Sequence, residues 1–170
     1  MDHFARLGLP AALDLEPATL DRAYFALQRQ WHPDRFANRS AEERARASTE
    51  AAALNDAYRT LKDPLSRAVY FSAMKGVELP GDGKTIDDPD LLMEAMEARE
   101  ALHEARTVEA IDRLAAAARD DMKTSLAGLG GLFLQDDRPA IRKALLRLRY
   151  LDKFTEEARA RRTNLERVKA

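Results

Sequence analysis

Residues 22–36 read "RAYFALQRQWHPDRF", and the fold turns on this stretch. At about 100° per residue, Leu20, Tyr24, Leu27 and Trp31 fall within about 60° of one another, the pattern of a helix with one buried face. Arg22 and Arg29 lie on the opposite face, and Arg35 follows just beyond. The helix opens near Pro17, a residue suited to a first turn, and stops where Pro33 can no longer continue it. His32, Pro33 and Asp34 therefore stand at the end of a helix rather than inside one. There the triplet is open to four readings: a catalytic pair, metal ligands, a plain turn or an exposed contact tip.

Working outward, "SAEE" at 40–43 has the form of a capping box, with Ser40 and Glu43 satisfying each other's backbone amides. The helix it opens places Ala47, Ala51, Leu54, Tyr58 and Leu61 on one face. Two helices with matching stripes and a short link pack antiparallel, which leaves "HPDR" at the tip of a hairpin. A short helix in "DHFARLG" stops at Gly8 and Pro10. Another, in "KDPLSRAVYFSAMKG", opens at Asp63 and Pro64 and closes at Gly76.

The stretch "GVELPGDGKTIDDPD" holds Gly, Pro and Asp with little to bury, and reads as a linker. Three longer helices follow. One spans about 89–106 behind Asp88 and Pro89, and one runs from Thr107 to about Leu126, ending at Gly128, Gly130 and Gly131. The last begins near Asp137 and Pro139 and continues almost to the C-terminus. Short connections make consecutive helices antiparallel neighbours, hence a three-helix bundle. β signals are almost absent. The expected fold class is all-α: a hairpin domain over residues 1–75, a linker at 76–88 and a bundle over 89–170, arranged as an L.

The composition narrows the function. Across 170 residues, 28 basic and 29 acidic side chains nearly cancel, which argues against a general nucleic-acid binder. There is no cysteine, so disulfides, thiolate metal sites and cysteine nucleophiles are excluded within this chain. An acid at position 2 without a long apolar stretch is no signal peptide, and no uncharged run approaches the roughly 20 residues of a membrane span. A cytoplasmic protein with no membrane partner is expected.

Catalysis at His32 would need Asp34 or a nucleophile arranged around it. No serine elbow, glycine-rich phosphate loop or second histidine at metal spacing accompanies it; His3 and His103 lie far off in sequence. That leaves two readings from the residues alone. Pro33 and Asp34 suit a helix-ending turn with His32 incidental, whereas a basic outer face leading to the tip suits contact with an acidic partner.

"DHFARLGLP", "RAYFALQRQWHPDRF" and "AALNDAYRTLKDPLSRAVY", in this order and spacing, resemble a J-domain over about residues 2–75. That is the module with which co-chaperones stimulate the ATPase of a DnaK-type chaperone. The resemblance implies that His32, Pro33 and Asp34 form the stimulating loop, with Arg22, Arg29 and Arg35 on the docking face. His3 stands where many J-domains carry tyrosine, at a position that looks structural. On this reading the chain is not an enzyme; the partner hydrolyses ATP.

The second half carries a separate signal in "DLLMEAMEAREALHEAR". Leu91, Ala95, Ala98, Leu102 and Ala105 cluster within about 80° as a core stripe. Leu92, Met93 and Met96 lie roughly opposite, continued by Glu97, Glu100 and Glu104. Tyr150 likewise stands about 170° from the middle of the face holding Ile141, Leu145 and Leu148. From periodicity alone, Leu92 and Met93 either cover a seam between the domains or belong to a partner site.

"LLMEAMEARE" and "IRKALLRLRYLDKF", with a bundle of matching length between them, extend the resemblance over the whole chain to the HscB type of co-chaperone. It implies binding of the iron–sulfur scaffold IscU through Leu92, Met93, Met96, Glu97, Glu100, Glu104 and Tyr150, and delivery to the chaperone HscA. Met96 and Tyr150 stand where a relative has leucine and phenylalanine; Tyr150 brings a hydroxyl that needs a partner. No cofactor is required. Eukaryotic relatives often carry a cysteine-rich extension that is missing here, so a bacterial form is expected. Three competing readings stand beside it: a J-domain protein serving unfolded clients generally, a helical adaptor whose His-Pro-Asp is accidental, and, disfavoured by the missing phosphate loop, a nucleotide-hydrolysing enzyme.

Overall fold

The structure, a computed structural model, describes residues 1–81 and 86–169. Residues 82–85, part of the stretch read as a linker, lie outside the described residues. Among those described, the chain is all helical: α1 (His3–Arg6), α2 (Pro17–Trp31), α3 (Ala41–Lys62), α4 (Pro64–Met74), α5 (Pro89–Glu104), α6 (Val108–Leu134) and α7 (Arg138–Lys169). A 3-10 turn at Pro33–Phe36 joins α2 to α3. The chain divides into two compact units, Met1–Met74 and Lys75–Ala170.

In the first unit α3 is the common support, packing against α1, α2, α4 and the 3-10 turn. The core gathers Phe4, Leu7, Leu20, Tyr24, Leu54, Ala57 and Leu61. Leu27 and Trp31, at the outer end of the α2 stripe, are only half-buried. α1 is short because Gly8 adopts φ +68°, a conformation that costs glycine nothing. The amides of Gly8 and Leu9 then donate back to the carbonyls of Ala5 (3.1 Å) and Phe4 (2.9 Å) and close the helix. Ser40 and Glu43 form the capping box at the start of α3. His3 is structural: its ring stacks on Tyr70 at 4.4 Å, and its backbone amide donates to the Tyr70 hydroxyl at 2.9 Å.

The second unit is organised around α7, which packs against both α5 and α6. Leu102 and Ala105, Ile111, Ala115 and Ala118, and Leu151, Phe154 and Ala158 form one cluster drawn from or beside all three helices. Consecutive helices are close neighbours for α6 and α7, whereas α5 packs chiefly on α7. Ion pairs Lys143–Asp90 (3.3 Å), Arg147–Glu94 (2.7 Å) and Arg99–Glu157 (2.9 Å) line that contact.

Two expectations are corrected here. α6 does not end at Gly128, Gly130 and Gly131 but continues to Leu134. Each exposed glycine costs a helix about 1 kcal/mol relative to alanine. Burying Leu129, which is 1% exposed, recovers roughly 2 kcal/mol; Leu126, Leu132 and Phe133, half-buried, add to it. The true stop is Asp136 at φ 49°: the amides of Asp136 and Asp137 donate to Phe133 and Leu132, both at 3.2 Å. An aspartate thus fills the left-handed position expected of a glycine. The stretch after Gly76 also buries more than expected, since Val77 is 5% exposed and Arg149 donates to the Pro80 carbonyl at 2.7 Å.

Candidate functional site

Two sets of exposed side chains stand out, one in each unit. At the hairpin tip, His32 ends α2 and Pro33 starts the 3-10 turn. The His32 Nδ1 accepts the Asp34 amide at 3.3 Å and so caps the turn. The Asp34 carboxylate lies 3.5 Å from Nδ1, with a side chain 90% exposed. Pro33 fixes the backbone between the two, so the geometry presents an anionic group and an imidazole from a rigid corner. Below the corner, Trp31 stacks on Phe36 at 5.9 Å with rings nearly parallel at 4°, and the Arg46 guanidinium lies over Trp31 at 5.8 Å. This apolar pair seats the turn on α3.

Arg22, Arg29 and Arg35 are all exposed. Arg22 donates to the Thr19 hydroxyl at 3.1 Å. Arg35 reaches back to the Arg29 carbonyl at 3.3 Å, placing a cation at the negative end of α2. These positions give the tip a basic approach. The arrangement suits protein contact.

In the second unit, Asp88 caps α5 by accepting the Leu91 amide at 3.0 Å, which sets the rotation of the helix. Leu91, Ala95 and Leu102 are buried. Leu92, Met93 and Met96 on the other side are 37%, 63% and 62% exposed, and Glu97, Glu100 and Glu104 are exposed beside them. These six residues share one open face of α5, apolar toward its start and acidic toward its end. Such a run of large apolar groups in water makes this face a candidate contact surface.

Tyr150, on α7, is half-buried rather than open. Its hydroxyl donates to Glu94, a residue that the sequence reading passed over. The same Glu94 oxygen accepts from Arg147 at 2.8 and 2.7 Å, and Arg147 reaches on to Asp121 at 2.9 Å and Ser125 at 3.3 Å on α6. Arg147 thus joins all three helices behind the α5 face. Burial raises the Glu94 pKa, but the bonds from Arg147 and Tyr150 outweigh it and hold the carboxyl below its usual range. Burial first, and then the Glu94 carboxylate, push the Tyr150 phenol well above its own. Tyr150 therefore stays a neutral donor and Glu94 an anion. The missed signal was a charge pair spanning 53 residues, which periodicity along one helix does not reveal.

Among the described residues, no group of three or more His, Asp or Glu side chains could hold a metal ion. No helix there is long and apolar enough to cross a membrane.

An antiparallel hairpin with His-Pro-Asp at its tip, joined in sequence to a helical bundle, defines the class: a J-domain co-chaperone, whose partner is a DnaK-type chaperone. Residues 2–70 match the DnaJ domain, and residues 87–159 match the HSCB C-terminal oligomerisation domain. The chain is 38% identical over 167 residues to the co-chaperone protein HscB homolog of Burkholderia multivorans, covering 96% of this chain and 95% of that one. It is 40% identical over 159 residues to the homolog from Cupriavidus taiwanensis, covering 92% and 90%. Among solved structures it is similar to the chaperone HscB from Vibrio cholerae, with a TM-score of 0.84, 33% identity and coverage of 97% and 99%. The human co-chaperone protein HscB superposes with a TM-score of 0.87 at 30% identity, over 94% of this chain and 81% of that one. The chain belongs to the HscB co-chaperone family.

Proposed function

We propose that this protein tethers the iron–sulfur scaffold IscU to the DnaK-type chaperone HscA in the bacterial cytoplasm and triggers ATP hydrolysis there, assisting cluster assembly and transfer. The observation that carries this reading is the open face of α5: Leu92, Met93 and Met96 exposed beside three glutamates, opposite a complete buried stripe. A folded scaffold fits such a face because flexible methionines adapt to an apolar surface while the glutamates select a basic rim. Tyr150, braced by Glu94, supplies a rigid aromatic edge at the same end of the bundle.

The tip supplies the other half. Arg22, Arg29 and Arg35 guide an acidic surface of the chaperone toward the corner where His32, Pro33 and Asp34 engage it. Asp34 acts as an anionic acceptor for a cationic site, and Pro33 holds it in place at little entropic cost. Binding both partners on one chain raises the effective concentration of scaffold at the chaperone without any new contact between them. The cluster is cargo of the scaffold, and the chain itself is not required to ligate it.

Single-turnover ATP hydrolysis by the chaperone, with and without scaffold, tests the proposal. Wild type is expected to stimulate, and scaffold to amplify the effect. His32→Gln should abolish stimulation with scaffold binding intact. Leu92→Ala/Met96→Ala should keep basal stimulation and lose the amplification. Stimulation indifferent to scaffold would instead support a J-domain serving unfolded clients generally.

A further inference from the structure

Phe25 is the one large apolar side chain described on the α2–α3 hairpin that is exposed, at 49%. It sits outside the inward-facing stripe of Leu20, Tyr24, Leu27 and Trp31, of which Leu20 and Tyr24 are buried. At about 100° per residue, Arg22, Phe25 and Arg29 fall within about 60° of one another. His32 follows them along the same line. The ring is placed, not loose: it lies 5.2 Å from the ring of Tyr24 at 57° and 6.5 Å from Tyr58 at 50°. Tyr24 and Tyr58 are themselves stacked at 4.0 Å and locked by hydrogen bonds to Asn55 and Asp21, both at 2.7 Å. One edge of Phe25 therefore rests on a rigid aromatic base, and the rest faces water between two arginines.

We propose that Phe25 is the apolar anchor of the chaperone-docking face, fitting a DnaK-type partner surface that is acidic with a shallow apolar recess. The inference rests on the docking face proposed above and adds a contact of a different physical kind. Flanking cations select an acidic partner, and continuity with the tip places the anchor in the same interface. A pre-positioned aromatic ring loses little side-chain entropy on binding, which is what distinguishes an anchor from a general contact. Half a phenylalanine side chain offers on the order of 100 Å² of apolar surface, enough to shift half-saturation by about tenfold.

The test is chaperone ATPase stimulation titrated with full-length wild type, Phe25→Ala, Phe25→Leu, Arg29→Ala and His32→Gln, at low and high salt. Phe25→Ala should raise the half-saturating concentration about tenfold with the maximal rate retained and an undiminished deficit at high salt. Phe25→Leu should recover most of the loss, while the Arg29→Ala deficit should shrink as salt screens it. A Phe25→Ala titration that overlays wild type, while His32→Gln is inactive, would overturn the anchor and leave the docking face standing. If Phe25→Ala lowers the melting temperature without moving half-saturation, the ring is only packing for Tyr24 and Tyr58, and the proposal fails. A change in sedimentation of the protein alone would assign the ring to self-association and likewise overturn it. Loss of stimulation by wild type itself would be a failure of the docking reading.

Discussion

Glu94 accepts hydrogen bonds from Tyr150 and Arg147 with one carboxylate oxygen, and lies near Lys143 as well. Its folded pKa is depressed, so its contribution to stability is fully present above the unfolded value of about 4.3 and is lost as pH falls through the folded value. Glu94→Gln should therefore be less stable than wild type at pH 7, and the difference should narrow as the pH falls below about 4.3. Thermal melts across that range check this; a gap unchanged between neutral and acid pH would mean the carboxylate charge contributes nothing. The side chain is 39% exposed, so solvent screening keeps the effect modest. The same variant weakens the brace on the Tyr150 hydroxyl, since an amide oxygen is a poorer acceptor than a carboxylate, and should weaken scaffold binding without touching Leu92 or Met96. In the first unit, the His32 side chain caps the turn that presents Asp34.

At the scale of elements, α6 carries an avoidable cost. A Cβ added at Gly128 or Gly130 meets nothing within 4 Å, and both positions are helical and exposed. Gly128→Ala and Gly130→Ala should each raise stability by about 1 kcal/mol, through helix propensity and a less disordered unfolded chain. Because i and i+2 do not face each other on a helix, the double variant should give close to the sum. Denaturant titration with an unchanged slope would confirm the gain; destabilisation would mean that the helix is not maintained there in solution. α2 and α3 illustrate the opposite case, where caps, stripe and breaker all agree. Glu16 accepts the amides of Ala18 and Thr19 at the start of α2, and Ser40 with Glu43 closes the start of α3.

For the whole molecule, tethering requires both faces on one chain. An equimolar mixture of His32→Gln and Leu92→Ala/Met96→Ala should not restore the scaffold-amplified ATPase rate, since neither chain links scaffold to a competent tip. Full recovery in the mixture would show that the faces act from separate chains, through self-association or independently, and would remove the tethering argument. Amplification should also fall when this protein is in large excess over scaffold and chaperone, because the two partners then occupy separate copies of it.

The all-helical class, the hairpin with its tip, the capping box at Ser40 and the buried stripe of α5 were legible in the sequence. Each is set by residues three or four apart, or by a proline or cap acting on its own turn, and such local physics reads directly from neighbours along the chain. Leu92, Met93 and Met96 were legible as a face for the same reason, since their exposure follows from the rotation that Leu91 and Ala95 impose. Tertiary structure alone decided the course of α6 past its glycines, because long-range burial outweighed a local preference. It alone supplied Asp136 with its left-handed turn and Val77 with its cover. It also gave the Tyr150 hydroxyl its acceptor: Glu94 and Tyr150 lie 56 residues apart, and only the packing of α5 on α7 brings them within reach.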